Sequence, residues 1–249
     1  MTYCVGMKLK SGLLAIADTR ITSGNETTSA KKIFLNVGDD HALFLMTSGL
    51  RSVRDKALTY FTELLEDDNY HFHRLYEAVN AFGNQLKKVA VEDRESLEQS
   101  GLAFNLHTIV GGQLRDDKEP KMYLLYPEGN WIEIGPGTPF VIIGNSGYGK
   151  PILNRIVNFN TPISKALIAG FLSFDSTRVS ANDVGFPIDV VLYKNNTFEL
   201  VEKRYNEEDL TQMSNEWSES LSNAIERMPV EWMNEIIKES EQSKIKVIH

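Results

Sequence analysis

The sequence contains one cysteine, Cys4, in 249 residues. A lone thiol forms no intramolecular disulfide, so a reducing cytoplasm is the expected setting. No apolar run is long enough to span a bilayer, which speaks against a membrane partner. No secretory leader is expected either: Lys8 and Lys10 interrupt the first apolar stretch, and no basic segment stands ahead of it. Clusters of positive charge are also missing. The formal net charge is -8, and most of it lies at one end. From Tyr205 to His249 ten acidic residues face only Arg227, Lys238, Lys244 and Lys246, a net of -6. Phosphate contacts need gathered Lys and Arg, so nucleic acid is not an expected partner. The acidic end reads as a solvated helix face.

Several chemical signatures are absent or incomplete. His71-Phe72-His73 has no third ligand at a metal spacing, and neither a strand nor a helix brings the two imidazoles together. No G-x-S-x-G elbow is present to support a serine triad. GNSGYGKP matches G-x-x-x-x-G-K, but Pro151 stands where the magnesium-binding hydroxyl belongs. That stretch reads instead as a strand-to-helix turn with Pro151 in the first helical turn. His107 lies in an alternating strand and reads as a sheet histidine rather than a base. Cys4, also on a strand, reads as a small buried hydrophobe and not as a nucleophile.

What is present is an alternation of strand pairs and helix pairs. TYCVGMKL and LLAIAD flank KSG, and IFLNV and HALFLMT flank GDD, which predicts two hairpins. Two helices follow: RSVRDKALTYFTELLEDD, and a stretch over Tyr70–Val89 with Phe72, Leu75, Tyr76, Val79, Phe82, Leu86 and Val89 on one face. Strands return in AFNLHTIVGGQ, KMYLLYP, WIEIG and PFVIIG. Helices then begin at Pro151 and in ISKALIAGFLSFDS, and the strands IDVVLYK and TFELVEKR close the series around Asn195-Asn196. Two sheets and two helix pairs that each bury one face predict an α+β domain over residues 1–205. Its expected form is a four-layer α-β-β-α sandwich of two antiparallel sheets. With 42% hydrophobic residues the chain has enough apolar material for that core. Residues 206–249 form a helical extension carrying Leu210, Met213, Trp217, Leu221, Ile225 and Met228 at spacings of three and four. That stripe is expected to pack on its own domain or on a neighbouring subunit.

The candidate chemistry sits at the amino end. Methionine is trimmed when a small residue follows, and trimming would expose Thr2 with its own α-amine. An α-amine has a reference pKa of about 8, close enough to neutrality to serve as a built-in base for the adjacent hydroxyl. Pairing around KSG brings Asp18 back beside Thr2. Lys32 enters the third strand, and Gly49 ends the fourth strand where a helix opens. There its backbone N–H is placed to meet an oxyanion. The expectation is that all four meet at one edge of a sheet.

Thr2, Ala17-Asp18-Thr19-Arg20, Lys31-Lys32-Ile33 and Met46-Thr47-Ser48-Gly49-Leu50, in this order, resemble the proteasome β-subunit superfamily of N-terminal nucleophile hydrolases. MTYCV at the start, YGKPIL at 148–153 and VGFPIDVVLY at 184–193 match its bacterial Anbu (ancestral β-subunit) branch, and the likeness covers the whole chain. The resemblance implies Thr2 as nucleophile, Lys32 tuning its proton transfer, Asp18 holding the lysine and amine, and Gly49 as oxyanion donor. It also implies auxiliary polar residues near the amine, matched here by Asn145, Ser146, Ser180 and Asp183, and pocket walls near Ile21, Ala30 and Thr47. The implied activity is that of a threonine-type endopeptidase acting on peptides or unfolded protein. No cofactor or metal is implied. The implied assembly is a homo-oligomeric ring or open spiral, with an ATPase partner left open. A non-proteolytic amidase of the same nucleophile class, and a catalytically weak ring or scaffold protein, are the alternatives.

Overall fold

The structure is a computed structural model that describes residues 2–23, 26–67 and 71–242. The chain divides into two compact units, residues 1–209 and 210–249.

The first unit is built on two five-stranded sheets. One has the order β10-β1-β2-β11-β12 and consists of Phe140–Gly144 (β10), Tyr3–Leu9 (β1), Gly12–Asp18 (β2), Ile188–Lys194 (β11) and Leu200–Tyr205 (β12). The other has the order β5-β6-β7-β8-β9 and consists of Ile33–Gly38 (β5), His41–Gly49 (β6), Leu106–Leu114 (β7), Lys121–Leu125 (β8) and Trp131–Glu133 (β9). Every pairing among these strands is antiparallel. Among the described residues that leaves no parallel βαβ context for a phosphate loop at Gly144–Lys150. A short separate hairpin, Arg20–Ser23 (β3) with Glu26–Ser29 (β4), was not expected from the sequence.

The period-two pattern fixes which side chains meet across the sheets. On β6, Ala42, Phe44 and Met46 face inward and join Cys4, Leu13, Ala15, Ile109, Met122 and Val191 in the core between the sheets. Their neighbours Leu43 and Leu45 face the other way, onto Val53, Ala57, Phe61, Val79, Phe82 and Leu86 of the covering helices. Those helices are Arg51–Glu66 (α1) and Leu75–Gln99 (α2). Of the expected apolar face, Leu75, Val79, Phe82, Leu86 and Val89 are buried in α2, whereas Tyr76 is exposed and Phe72 precedes the helix. The helix then runs ten residues further with a mostly exposed surface, so no stripe marks its true end. Tyr70, where the expected helix began, lies outside the described residues.

The first sheet is covered by Lys150–Ile156 (α3) and Ile163–Ser180 (α4). Gly170 of α4 comes so close that an added Cβ would lie 2.6 Å from Ile16 Cδ1 and 2.9 Å from Met7 Cε. Tyr3 and Phe174 meet edge to face, with ring centroids 6.1 Å apart. The layers therefore run helices, sheet, sheet, helices.

The chain continues into Glu207–Glu226 (α5), a 3-10 turn at Glu231–Met233 and Asn234–Gln242 (α6). Pro229 separates α5 from the turn, as its missing N–H requires. Leu210, Met213 and Trp217 are half-buried, whereas Leu221, Ile225 and Met228 are exposed. No described helix is long and apolar enough to cross a membrane.

Candidate active site

Thr2 is held by its backbone. The Asn145 N–H donates to the Thr2 carbonyl at 2.7 Å. Gly144, which pairs with Tyr3, has φ +85°, and a Cβ there would lie 1.9 Å from the same carbonyl. Only glycine lets β10 approach this closely. One residue on, the Tyr3 phenol donates to Ser173 Oγ at 2.6 Å and is fully buried. This anchors the start of β1 to α4.

Asp18 ends β2 directly across from that start. Its Oδ1 accepts from the Tyr3 N–H at 2.8 Å and from Lys32 Nζ at 2.6 Å. Lys32 Nζ also donates to the Arg20 carbonyl at 2.7 Å. Both charged groups are buried. Burial pushes the Asp18 carboxyl above its ordinary range, against the pull of the Lys32 charge and hydrogen bond. Lys32 is fixed in its place because a buried ammonium needs its counter-ion and a second acceptor.

Gly49, at φ +148°, is the last residue of β6 and directly precedes α1's N-cap, Leu50. A Cβ there would lie 1.9 Å from the Asn105 carbonyl. Thr2, Lys32 and Gly49 all line one cavity of about 910 Å³, together with Arg20, Ile21, Thr47 and Ser48. The gathering differs from the expected single sheet edge. Thr2 and Asp18 belong to the first sheet, whereas Lys32 enters β5 and Gly49 ends β6 of the second. The groups meet across the gap between stacked sheets because the two strand ends, β1 and β6, superpose there.

The other expected positions are distributed as follows. Ile21 and Thr47 line the cavity; Ala30 does not. Asn145 holds Thr2 through its main chain, and the neighbouring Ser146 carbonyl accepts from the Lys150 N–H at 3.2 Å. Asp183 is half-buried on the loop before β11, which is tied to the site by Arg20 Nη1 donating to the Asn182 carbonyl at 2.9 Å. Ser180 is exposed at the end of α4 and is not among the cavity residues. Cys4 is fully buried, and burial pushes its thiol far above the ordinary range, as expected of an inert cysteine. The histidines at 71 and 73 are exposed. His107 pairs through Nδ1 with Asn105 Oδ1 at 3.0 Å, yet it also lies in the cavity wall.

No protein-family model and no curated protein sequence matches the chain. Solved structures do. A Gly-1 mutant of Anbu from Hyphomicrobium sp. strain MC1 is 32% identical, with a TM-score of 0.84, over 91% of this chain and 99% of that one. The chain belongs to the Anbu family. Anbu (ancestral beta-subunit) from Yersinia bercovieri is 28% identical, with a TM-score of 0.84, over 91% of this chain and 98% of its own. The helical assembly of the Anbu complex from Pseudomonas aeruginosa is 29% identical, with a TM-score of 0.86, over 91% and 97%. The Anbu fold is that of the proteasome β-subunit, a layered N-terminal-nucleophile hydrolase fold, and this chain has it.

Several cavity residues of this Anbu chain carry no local signal in the sequence. Arg20, Arg51, Arg54, His107 and Tyr126 reach the cavity from four separate segments. Only the stacking of the two sheets brings them together.

Proposed function

We propose that the chain is a threonine-type peptidase that hydrolyses peptide bonds with Thr2 as nucleophile once Met1 has been removed. The observation that carries this reading is the shared cavity of Thr2, Gly49 and Lys32, with Lys32 bonded to the buried Asp18 at 2.6 Å. A hydroxyl beside a free amine and a positioned ammonium is a nucleophile with its base already in place.

In this reaction Thr2 Oγ attacks the carbonyl carbon, and a C–O bond forms. The hydroxyl proton passes to the free α-amine, with the Lys32 ammonium beside it. The Gly49 N–H donates to the developing oxyanion. The C–N bond then breaks, and the leaving amine takes the proton. Water next adds to the ester, the acid product departs and Thr2 regains its proton. Asn145 positions the nucleophile through the main chain, while Ser146, Asp183 and, more remotely, Ser180 belong to the polar surroundings of the amine.

The substrate is a peptide or an unfolded protein, since the cavity is open and large enough for several residues. The Pseudomonas aeruginosa relative is described as a helical assembly of the Anbu complex, which supports a homo-oligomer for this chain as well. The helical extension would serve that assembly. The single buried cysteine fits a cytoplasmic setting.

Turnover of fluorogenic peptides by the Thr2→Ala variant tests the mechanism. Loss of all hydrolysis is expected. Retained hydrolysis in that variant would overturn the reading.

A further inference from the structure

The cavity that holds Thr2 has a strongly one-sided charge. Arg20, Lys32, Arg51 and Arg54 line it, against Glu26 as the single acidic lining residue among the described residues. Some of this charge is already neutralised. Lys32 is paired with Asp18, whereas Arg20 donates to the neutral Asn182 carbonyl and keeps its charge. Arg51 and Arg54 share one partner. Arg54 Nη2 lies 2.6 Å from Asp55 Oδ1, and Arg51 Nε lies 3.3 Å from Asp55 Oδ2. Two guanidinium groups on one carboxylate leave one positive charge over. Arg54 is largely covered, while the Arg51 side chain is 59% exposed.

The Arg51–Asp55 pair, at i,i+4, stabilises the helix slightly, but the position of both arginines opposes it. They occupy the first turn of α1, where no acidic residue stands and no side chain caps the helix. Cations at that end oppose the helix dipole. Their position relative to Gly49 is more informative. Arg51 follows Gly49 by two residues, so their Cα atoms are within about 7.6 Å of each other. An arginine side chain spans that distance.

We infer that the cavity selects substrates with a carboxylate side chain on the residue preceding the scissile bond, seated against the Arg51–Arg54 pair. The inference rests on the proposed peptidase reading, in which Gly49 holds the carbonyl oxygen of that same residue. The side chain leaves the backbone one bond from that carbonyl carbon and therefore points within reach of Arg51. A guanidinium takes a carboxylate through paired N–H donors, which a glutamine amide cannot match.

Fluorogenic peptides that differ only in the residue before the fluorophore test this. The expected kcat/KM for Glu exceeds that for Gln by at least about tenfold. Arg51→Gln should bring the Glu-to-Gln ratio close to one, and R51E/R54E should favour Lys over Glu. Equal rates for Glu and Gln, or a ratio that survives Arg51→Gln, would overturn the inference and leave the peptidase reading standing. Loss of every rate would instead sink the peptidase reading. The subsite is then judged by calorimetric titration of Thr2→Ala with the same sequences as C-terminal amides, whose only carboxylate is the side chain. At least tenfold tighter binding of the Glu amide supports the subsite, and equal binding overturns it. A Gln peptide bearing a free terminal carboxylate serves as a second arm. If it binds as tightly as the Glu amide, the site reads chain ends rather than acidic side chains, and the inference fails.

Discussion

Lys32 Nζ and Asp18 Oδ1 lie 2.6 Å apart, with side-chain exposures of 4% and 0%. The pair joins the two sheets, because Asp18 ends β2 of one and Lys32 enters β5 of the other. It is a structural tie as well as part of the candidate active site.

Removing one partner should therefore cost stability as well as activity. Lys32→Met leaves the buried Asp18 carboxylate with neutral backbone N–H donors alone, from Tyr3 and Gly185, a loss of about 3–5 kcal/mol. The sign of its pH dependence follows from the carboxyl. Burial raises its folded-state pKa, so the carboxylate is less favoured in the fold than in the unfolded chain, and that part of the stability is lost as pH rises through the folded value. The deficit of Lys32→Met, read by urea denaturation, is expected to be larger at high pH than at low pH. Asp18→Asn combined with Lys32→Met should recover most of the stability and none of the hydrolysis.

Gly144 gives a second test, with an internal control. Gly144→Ala places a Cβ 1.9 Å from the Thr2 carbonyl, at φ +85°. Gly112→Ala creates a comparable clash, 2.2 Å from the Ala42 carbonyl at φ +156°, far along the other sheet from the site. Each should destabilise by about 1–3 kcal/mol. Only Gly144→Ala should lower kcat per folded molecule, by about tenfold or more. Equal kcat losses in the two variants would show that Gly144 does not position Thr2.

The hairpins were legible in the sequence because short apolar runs are bounded by turn residues at KSG and GDD. The β1–β2 register, with Cys4 opposite Ala17, follows from that turn and brings Asp18 to Tyr3. Gly49 was legible as a strand end before a helix. The stacking of one sheet on the other was not, because alternation states which face a side chain takes and not what lies opposite. For that reason the four groups were expected at one edge of a single sheet, whereas Lys32 and Gly49 come from the second, and Arg20, Arg51, Arg54 and His107 were not expected in the cavity at all. The β3–β4 hairpin, polar along Glu26–Ser29, had no apolar face to betray it.

Lys8 makes a separate prediction, away from the site. Its buried ammonium bonds Glu119 Oε1 at 3.1 Å and lies 3.8 Å from Glu133 Oε1. The hydrogen bond from Lys8, followed by its charge, holds the Glu119 carboxyl below the usual range. A lowered folded-state pKa stabilises the fold above the unfolded value and ceases to do so as pH falls through the folded one. Glu119→Gln should cost about 1 kcal/mol at neutral pH, a figure discounted for the half-exposed Glu119 side chain. The difference from wild type should vanish in denaturation measured well below the ordinary glutamate pKa of about 4.3.

The central claim is that Thr2 becomes a free amino-terminal nucleophile held in reach of Lys32 and Gly49. Intact mass spectrometry of the purified protein, before and after incubation with a peptide epoxyketone, tests it most directly, since that warhead reacts with a hydroxyl and a free amine on one residue. The account predicts a mass short by one methionine residue, then one epoxyketone adduct mapping to Thr2. Retention of Met1, or an adduct mapping to any other residue, would contradict it.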